Sequence, residues 1–362
     1  MKLHLIFIGN KFVYNRSLKE YVLRKIEQKV HFIDSITYFK ESDNSLFLYL
    51  EEELNSDDKI IIVTTKKHFS TVGKLICTVT SDNQILKENM LIPQKTSLFE
   101  QGSYLLEYKN SFTNVLQIDE EQKMPEVLMQ SHTSNATLHV FDEVKETLSA
   151  ILNPIAQTYE VHINVTKEIE GWLRVDISSN KYGDISKFIE SAKQLLPKNL
   201  IAASNVVAYI IERLSSANKR VSFAESCTGG LLSYYFTKNN GASTILDGAL
   251  VTYSNSLKEN WLAVSHEVIE KEGAVSAEVV KEMSEGVLNV SDADYALSIS
   301  GIAGDGGGTE LKPVGTVFIG VRSKTQHKEV HLHLQGDRNY VQHQSALHAI
   351  KMLILIDKEM FF

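Results

Sequence analysis

A short turn around Ser226 holds the residues best suited to nucleophilic chemistry. The turn lies within 224–230 (AESCTGG), between an apolar run and an amphipathic run. This pattern predicts a buried strand, a tight turn and a helix. Backbone N–H groups at the start of such a helix stabilise an oxyanion or a phosphate. The turn indicates either a Ser226 nucleophile with anion binding by Thr228, Gly229 and Gly230, or a helix cap and a glycine turn without chemistry.

A serine nucleophile needs a base, and the best candidate is Lys258. None of the six histidines after residue 200 follows a predicted strand end in a comparable way. Lys258 lies one turn into a predicted helix, where the positive helix end and desolvation both lower the pKa of the amine. Tyr253 precedes this helix and is a candidate proton donor to the leaving group. The alternatives are an exposed lysine and a tyrosine that packs within a strand.

A glycine-rich loop at 301–308 is a candidate anion site. It lacks the Gly-Lys-Ser/Thr of a P-loop and does not stand at a first βα turn, as a dinucleotide fingerprint would. Its backbone can still approach a phosphate or an oxyanion closely. Arg338, at the start of the last predicted helix, offers a bidentate phosphate contact or is a surface arginine. The predicted substrate-binding residues of this part are Ser300, Ala303, Gly304, Gly306, Gly307 and Arg338.

Metal chemistry has little support in the sequence. His331 and His333 would share one face of a predicted strand at 329–334. Two histidines alone do not make a metal site, since zinc takes three or four protein ligands. We therefore predict no metal and no cofactor.

The elements that must position these groups are three predicted strands at 221–224, 247–253 and 295–299. Neighbouring strand ends in an open α/β sheet meet in one crevice, so the groups are expected to converge there. Five of the 19 glycines lie in residues 1–200 and the other 14 lie after them. Because glycine permits close approach of backbone to a ligand, the site is expected in the C-terminal part. Ser276 is a predicted N-cap, and the last helix is predicted from Arg338 to about Ile356.

The fold class predicted for the whole chain is α/β with three domains. The first is an α/β layer with strands at 3–8 and 59–63 and helices at 18–30 and 45–54. A polar linker is expected at 131–140, and a small α+β unit follows, with helices at 143–152 and 185–196 and strands at 160–165 and 172–177. The predicted domains are 1–130, 136–197 and 200–362.

Composition limits the possible partners and compartments. A net charge of −8 and a pI of about 5.9 exclude the basic footprint of a non-specific nucleic-acid binder. No apolar stretch approaches a membrane span, and the N-terminus has the pattern of a strand. Two cysteines, Cys77 and Cys227, cannot form a disulfide framework. We expect a cytoplasmic protein that binds neither nucleic acid nor membrane.

Six motifs occur in order in the C-terminal part: AESCTGG at 224–230, VTYSN at 251–255 with Lys258, GAVS at 273–276, SISGIAG at 298–304, KPVGT at 312–316 and GDR at 336–338. Together they closely resemble the C-terminal domain of the CinA family, a PncC-type nicotinamide-nucleotide amidohydrolase. The resemblance covers about 200–362. It implies cofactor-free hydrolysis of nicotinamide mononucleotide to nicotinate mononucleotide and ammonia. Carried over, Ser226 is the nucleophile, Lys258 its base and Tyr253 an assisting group, while the glycine loop and Arg338 hold the substrate.

The first 195 residues resemble the rest of a CinA protein in shortened form. This implies a molybdopterin-binding-like α/β domain and then a small α+β domain. In the family the first domain is associated with metal-dependent ADP-ribose pyrophosphatase activity, at a glycine-rich segment after the strand that ends here near Val63. That segment reads TKKHFST at 65–71, so we predict that this site is lost. A second departure is Asp305, where the family usually has proline, and we expect its side chain to point outward.

Two other functions remain open from the sequence. The chain could be a non-catalytic nucleotide-binding scaffold linked to competence or DNA damage, or an amidase for another pyridine or pterin. Retention of Ser226, Tyr253 and Lys258 together argues against a vestigial pocket. We expect a homodimer whose small-molecule partner is nicotinamide mononucleotide.

Overall fold

A computed structural model describes residues 2–30, 32–129, 134–179, 182–304 and 306–362. The chain divides into two compact units, 1–132 and 133–362. Each unit is described by itself below.

The first unit is built on a six-stranded sheet of order β2-β1-β3-β8-β7-β6, with a separate hairpin β4-β5. Strands β2, β1, β3 and β8 run parallel, and β7 and β6 are antiparallel. Its strands are β1 (Leu3–Ile8), β2 (Ser35–Phe39), β3 (Lys59–Thr64), β4 (Gln84–Lys87), β5 (Met90–Pro93), β6 (Thr96–Glu100), β7 (Ser103–Tyr108) and β8 (Ser111–Gln117). Its helices are α1 (Asn10–Tyr14), α2 (Arg16–Val30), α3 (Leu46–Leu54) and α4 (Lys66–Thr80).

Central strands of this sheet are apolar on both faces because both faces are covered. Strand β3 reads KIIIVT and is buried from its second residue onward. Helix α2 packs on one face with Leu18, Val22 and Ile26, which recur at helical spacing. Helices α3 and α4 pack on the other face. The four predicted elements of this unit are confirmed, whereas residues 84–117 form strands and hairpins that the prediction did not resolve.

A four-stranded antiparallel sheet of order β10-β11-β9-β12 begins the second unit. Its elements are β9 (Ser134–Phe141), α5 (Lys145–Thr158), β10 (Val161–Ile169), β11 (Trp172–Ser179), α6 (Ile185–Leu195) and β12 (Leu200–Ala202). The linker predicted at 131–140 is wrong from Ser134 onward, because those residues form a strand paired with β11 whose second half is buried. Residues 131–133 lie outside the described part of the chain.

A five-stranded sheet of order β14-β13-β15-β16-β17 forms the rest of the second unit. Strands β14, β13 and β15 are parallel, and β16 and β17 are antiparallel. Its strands are β13 (Val221–Glu225), β14 (Leu246–Val251), β15 (Tyr295–Gly301), β16 (Thr316–Ser323) and β17 (His327–His333). Its helices are α7 (Val206–Ser216), α8 (Leu231–Thr237), α9 (Asn255–Leu262), α10 (His266–Glu272), α11 (Ala277–Asn289), α12 (Arg338–Ile356) and α13 (Lys358–Phe361).

Helices cover both faces of this sheet. Helices α7, α8 and α12 share one apolar core with it, and α9, α10 and α11 share another. Ser276 caps α11 by accepting a hydrogen bond from the Val279 N–H, as predicted. Asp337 caps α12 in the same way through the Tyr340 N–H, so this helix begins at Arg338. The mixed α/β fold class is confirmed.

The division into domains 1–130, 136–197 and 200–362 stays a prediction. The strand predicted at 247–253 ends earlier, at Val251, so Tyr253 belongs to the loop before α9. Within the described ranges, no helix has both the length and the apolar character needed to cross a bilayer.

Candidate active site

A cavity of about 240 Å³ opens at the carboxyl ends of β13 and β15, beside the start of α9. It brings together nine of the twelve predicted site residues, namely Ser226, Tyr253, Lys258, Ser300, Ala303, Gly304, Gly306, Gly307 and Arg338. The remaining described lining residues are Cys227, Asn255, Ala274, Val275, Gly301 and Ile302. The expected convergence of three strand ends is therefore present in the structure.

Ser226 and Lys258 form a buried hydrogen-bonded pair in this cavity. The Lys258 Nζ lies 3.1 Å from the Ser226 Oγ, and the lysine is only 1% exposed. The same Nζ donates to the carbonyl oxygens of Thr252, at 2.9 Å, and Tyr253, at 3.4 Å. The lysine is thus held by three oxygens, one of which is the candidate nucleophile.

Burial lowers the pKa of the Lys258 amine below the ordinary value for lysine, because the charged form loses solvation. The neighbouring Cys227 thiol opposes this shift only in part. Burial raises the pKa of Cys227 itself to about 12, so this thiol stays protonated near neutral pH. Among the described residues, no carboxylate forms an ion pair with Lys258. A neutral amine is therefore accessible at this position.

The start of α8 binds a carboxylate of the protein itself. Glu225 is fully buried and accepts hydrogen bonds from the N–H groups of Gly230, Leu232 and Ser233 at 2.9–3.1 Å. It also accepts from the hydroxyl of Thr228 at 2.7 Å. The positive end of this helix is consequently neutralised from inside the fold.

This arrangement corrects the role expected for Thr228, Gly229 and Gly230. None of the three is among the described residues that line the cavity. Thr228 and Gly230 bind Glu225, and Gly229 makes the turn at a φ of 57° with its N–H on the Ser226 carbonyl. The sequence pattern showed an anion site at a helix start, and the anion it binds is Glu225.

The backbone N–H groups of the turn around Ser226 differ in their acceptors. The N–H of Ser226 donates to the Ile299 carbonyl, and the N–H of Gly229 donates to the Ser226 carbonyl. The N–H of Cys227 donates to no described backbone or side-chain oxygen. This N–H interacts with the sulfur of its own side chain, and Cys227 lines the cavity next to Ser226.

Arg338 supplies a cation at the rim of the cavity. Its guanidinium lies against the glycine loop, where a Cβ on Gly304 would be 2.5 Å from Nε. A side chain at 304 would therefore displace the guanidinium from this position. Arg338 forms no hydrogen bond or ion pair with any described residue, and Ala303 and Gly304 line the cavity beside it. Asp305, expected to point outward, lies outside the described residues.

The sequence analysis missed several residues of the cavity wall, and it assigned Ser300 to substrate binding. Asn255, Ala274 and Val275 line the cavity within motifs that carried the resemblance, so those motifs were the available signal. Ser300 uses its hydroxyl to donate to the Ala274 carbonyl at 2.7 Å, which ties two walls together. Tyr253 is 62% exposed, so strand packing does not explain it.

The histidines of β17 have structural contacts. The ring of His331 stacks on Phe318 at 4.4 Å, and His333 bonds Gln335. Among the described residues, no group of three or more His, Cys, Asp or Glu side chains could hold a metal ion.

The carboxyl edge of the first unit's sheet is occupied by its own ion pairs. Asp119 accepts from the Lys66 N–H at the start of α4 and pairs with Lys11 at 3.2 Å. Glu41 pairs there with Lys67 and lies 3.8 Å from His68. The helix start that would face a phosphate thus has a protein carboxylate on it.

The second unit has an α/β fold with a buried hydrogen-bonded pair, Ser226 and Lys258, in its cavity. Residues 203–356 match the family model of the CinA C-terminal domain. A CinA-like protein of Endomicrobium trichonymphae is 34% identical over 237 residues, 60% of this chain and 54% of its own length. A CinA-like protein of Fervidobacterium nodosum is 40% identical over 219 residues, with shares of 59% and 52%. Residues 203–356 therefore belong to the CinA C-terminal domain family.

Solved structures give matches to the same family. The competence/damage inducible protein CihA from Agrobacterium tumefaciens is 33% identical, and the match covers 42% of this chain and 93% of that one with a TM-score of 0.42. A CinA superfamily protein from Escherichia coli is 31% identical, with shares of 42% and 88% and a TM-score of 0.41. The chain spans about half the length of the curated relatives it matches.

Replacing Glu225 with glutamine will destabilise the second unit. The amide turns an N–H group toward donors that now face a carboxylate, so we expect a loss of about 2 kcal/mol or more in the free energy of unfolding. Both tryptophans, Trp172 and Trp261, lie in the second unit, so their emission during urea denaturation reports on that unit alone.

The matched control for this variant is Asn205→Ala. Asn205 caps α7 away from the cavity by accepting from Val207 and Ala208. Its loss costs about 1 kcal/mol. A Glu225→Gln variant as stable as the Asn205→Ala variant would contradict the central role of the buried carboxylate.

Proposed function

We propose that this protein hydrolyses the carboxamide of nicotinamide mononucleotide to nicotinate mononucleotide and ammonia. The observation that carries the proposal is the buried contact of 3.1 Å between Ser226 Oγ and Lys258 Nζ. It supplies a nucleophile and a base in hydrogen-bond reach, as acyl transfer requires. The cation at Arg338 and the glycine loop fit the phosphate of a mononucleotide.

The two carbonyl acceptors around Lys258 orient its lone pair. A neutral amine has two N–H donors and one lone pair. The carbonyls of Thr252 and Tyr253 take the two donors. The lone pair then faces the Ser226 hydroxyl, which is the orientation of a general base.

Acylation follows from this geometry. Lys258 takes the proton from Ser226 as Oγ attacks the carboxamide carbon. The protonated amine then returns that proton to the departing nitrogen, which leaves as ammonia, and an acyl ester remains on Ser226. Tyr253, at the exposed side of the cavity, assists this proton transfer. Water, activated by the neutral Lys258, hydrolyses the ester and restores Ser226 with release of the carboxylate product.

Charge that develops on the substrate oxygen needs a donor in the cavity. The Cys227 N–H, which is adjacent to the nucleophile and has no oxygen acceptor among the described residues, serves as the oxyanion donor. At the other end, Arg338 and the N–H groups of Ala303 and Gly304 bind the phosphate. The substrate therefore spans the cavity from Arg338 to Ser226.

The proposal is tested by ammonia release from nicotinamide mononucleotide by three proteins. Wild type is expected to release it, and Ser226→Ala should lose nearly all turnover while it stays folded. Lys258→Arg should lose a similar factor, because nucleophile and base act as one unit and a guanidinium cannot give up its proton. Normal release by Ser226→Ala would remove the chemistry from this serine. Tight substrate binding without turnover by wild type would instead support a nucleotide-binding scaffold.

The activity should rise with pH. Lys258 must be neutral to act as base, and burial lowers its pKa below the ordinary lysine value. The neutral fraction therefore grows as the pH rises through this lowered pKa. We expect kcat/KM to rise and to level off at a pH below the pKa of a free lysine. A rate that falls across this range would contradict a lysine base.

The first unit is expected to have no ADP-ribose pyrophosphatase activity. Its strand edge has protein carboxylates where phosphates would bind, and the segment after β3 has no glycines to approach them. Purified protein with ADP-ribose and divalent metal ions should release no AMP. Release that is lost on substitution of Lys11 or Asp119 would show a working site there and contradict this prediction.

A further inference from the structure

We propose that Gln342 is a positioning residue for the proposed hydrolysis, and that α12 ties the nucleophile turn to the phosphate-binding end of the cavity. The inference rests on the proposed function. The Gln342 Nε2 donates to the carbonyl oxygen of Cys227 at 2.7 Å. This bond joins residues 115 positions apart in the chain, and it fixes the residue directly after Ser226.

The Cys227 carbonyl needs this donor. Cys227 is 4% exposed, so water is poorly placed to replace the glutamine amide. An unpaired buried carbonyl is costly, and the peptide would therefore turn toward another donor. The turning peptide shares the Cys227 Cα with the peptide that holds the Cys227 N–H, so the proposed oxyanion donor shifts as well. Displacement of a catalytic group by about 1 Å can cost on the order of a hundredfold in rate.

Gln342 also lies one helical turn from Arg338, at the i,i+4 spacing that puts two side chains on one helix face. Arg338 contacts the glycine loop, and Gln342 contacts the nucleophile turn. The same face of α12 thus contacts both the glycine loop and the nucleophile turn and fixes the distance between them. Gln342 is not among the described residues that line the cavity, so no contact suggests that it binds substrate.

The two residues should therefore affect different kinetic parameters. Gln342→Met keeps the length of the side chain and removes the donor. We expect kcat for nicotinamide mononucleotide to fall about tenfold or more, with KM nearly unchanged. Arg338→Met should mainly raise KM. General damage to α12 would move both parameters in both variants, so the split distinguishes positioning from a structural defect.

Gln344→Met is the matched control, because it makes the same substitution two residues along the same helix and away from the turn. It should behave as wild type. A Gln342→Met variant with wild-type kcat, or one whose only change is in KM, would overturn the inference.

A second readout separates this inference from the proposed function. The rate at which a small fluorophosphonate modifies Ser226, followed by mass spectrometry, depends on the serine, its base and its oxyanion donor but not on the natural substrate. If wild type is labelled yet releases no ammonia, the proposed substrate is wrong, and slower labelling of Gln342→Met still supports positioning. Equal labelling of both then overturns it. A wild type that neither turns over nor is labelled overturns both proposals.

Discussion

The candidate site depends on one amine that is kept out of water and has no counter-ion among the described residues. An ammonium group buried this deeply would normally be paired with a carboxylate, and the pair would stay charged. Lys258 has carbonyl and hydroxyl oxygens around it instead. These oxygens accept hydrogen bonds from the amine but carry no full negative charge that would stabilise its ammonium form. Burial therefore lowers the pKa of Lys258. Lys258 lies one turn into α9, and at this position its side chain is almost fully buried.

In the second unit, the backbone N–H groups around Ser226 fall into two sets with different partners. Those at the start of α8 are bound by Glu225, which gives the turn a rigid support from inside the fold. The Cys227 N–H, next to Ser226, has no oxygen acceptor among the described residues. Because a permanent anion satisfies the helix start, the geometry of the turn does not depend on a ligand in the cavity.

Much of this arrangement could be predicted from local pattern. Apolar runs predicted the strands that end at the cavity, and the residue types at their ends predicted Ser226 and Lys258 as neighbours. What could not be predicted was the partner of each polar group. Glu225 looked like one letter of a motif, yet it occupies the anion site that the glycines indicated. Gln342 gave no signal at all, because a contact across 115 residues has no local periodicity. The polar run that includes Ser134 and Asn135 suggested a linker, because the exposed start of a strand and a linker have the same composition.

The two units show that a fold does not determine chemistry. Each has parallel strands with helices on both faces, and in each a helix starts at the carboxyl edge of the sheet. In the first unit Asp119 binds that helix start and pairs with Lys11, so charge is balanced within the protein. In the second unit Glu225 satisfies the helix start, but Arg338 remains without a described partner. Arg338 is exposed, so water solvates its charge, and no described side chain competes for its guanidinium at the rim of the cavity. The described groups at the two sheet edges therefore differ in charge balance although the architecture is shared.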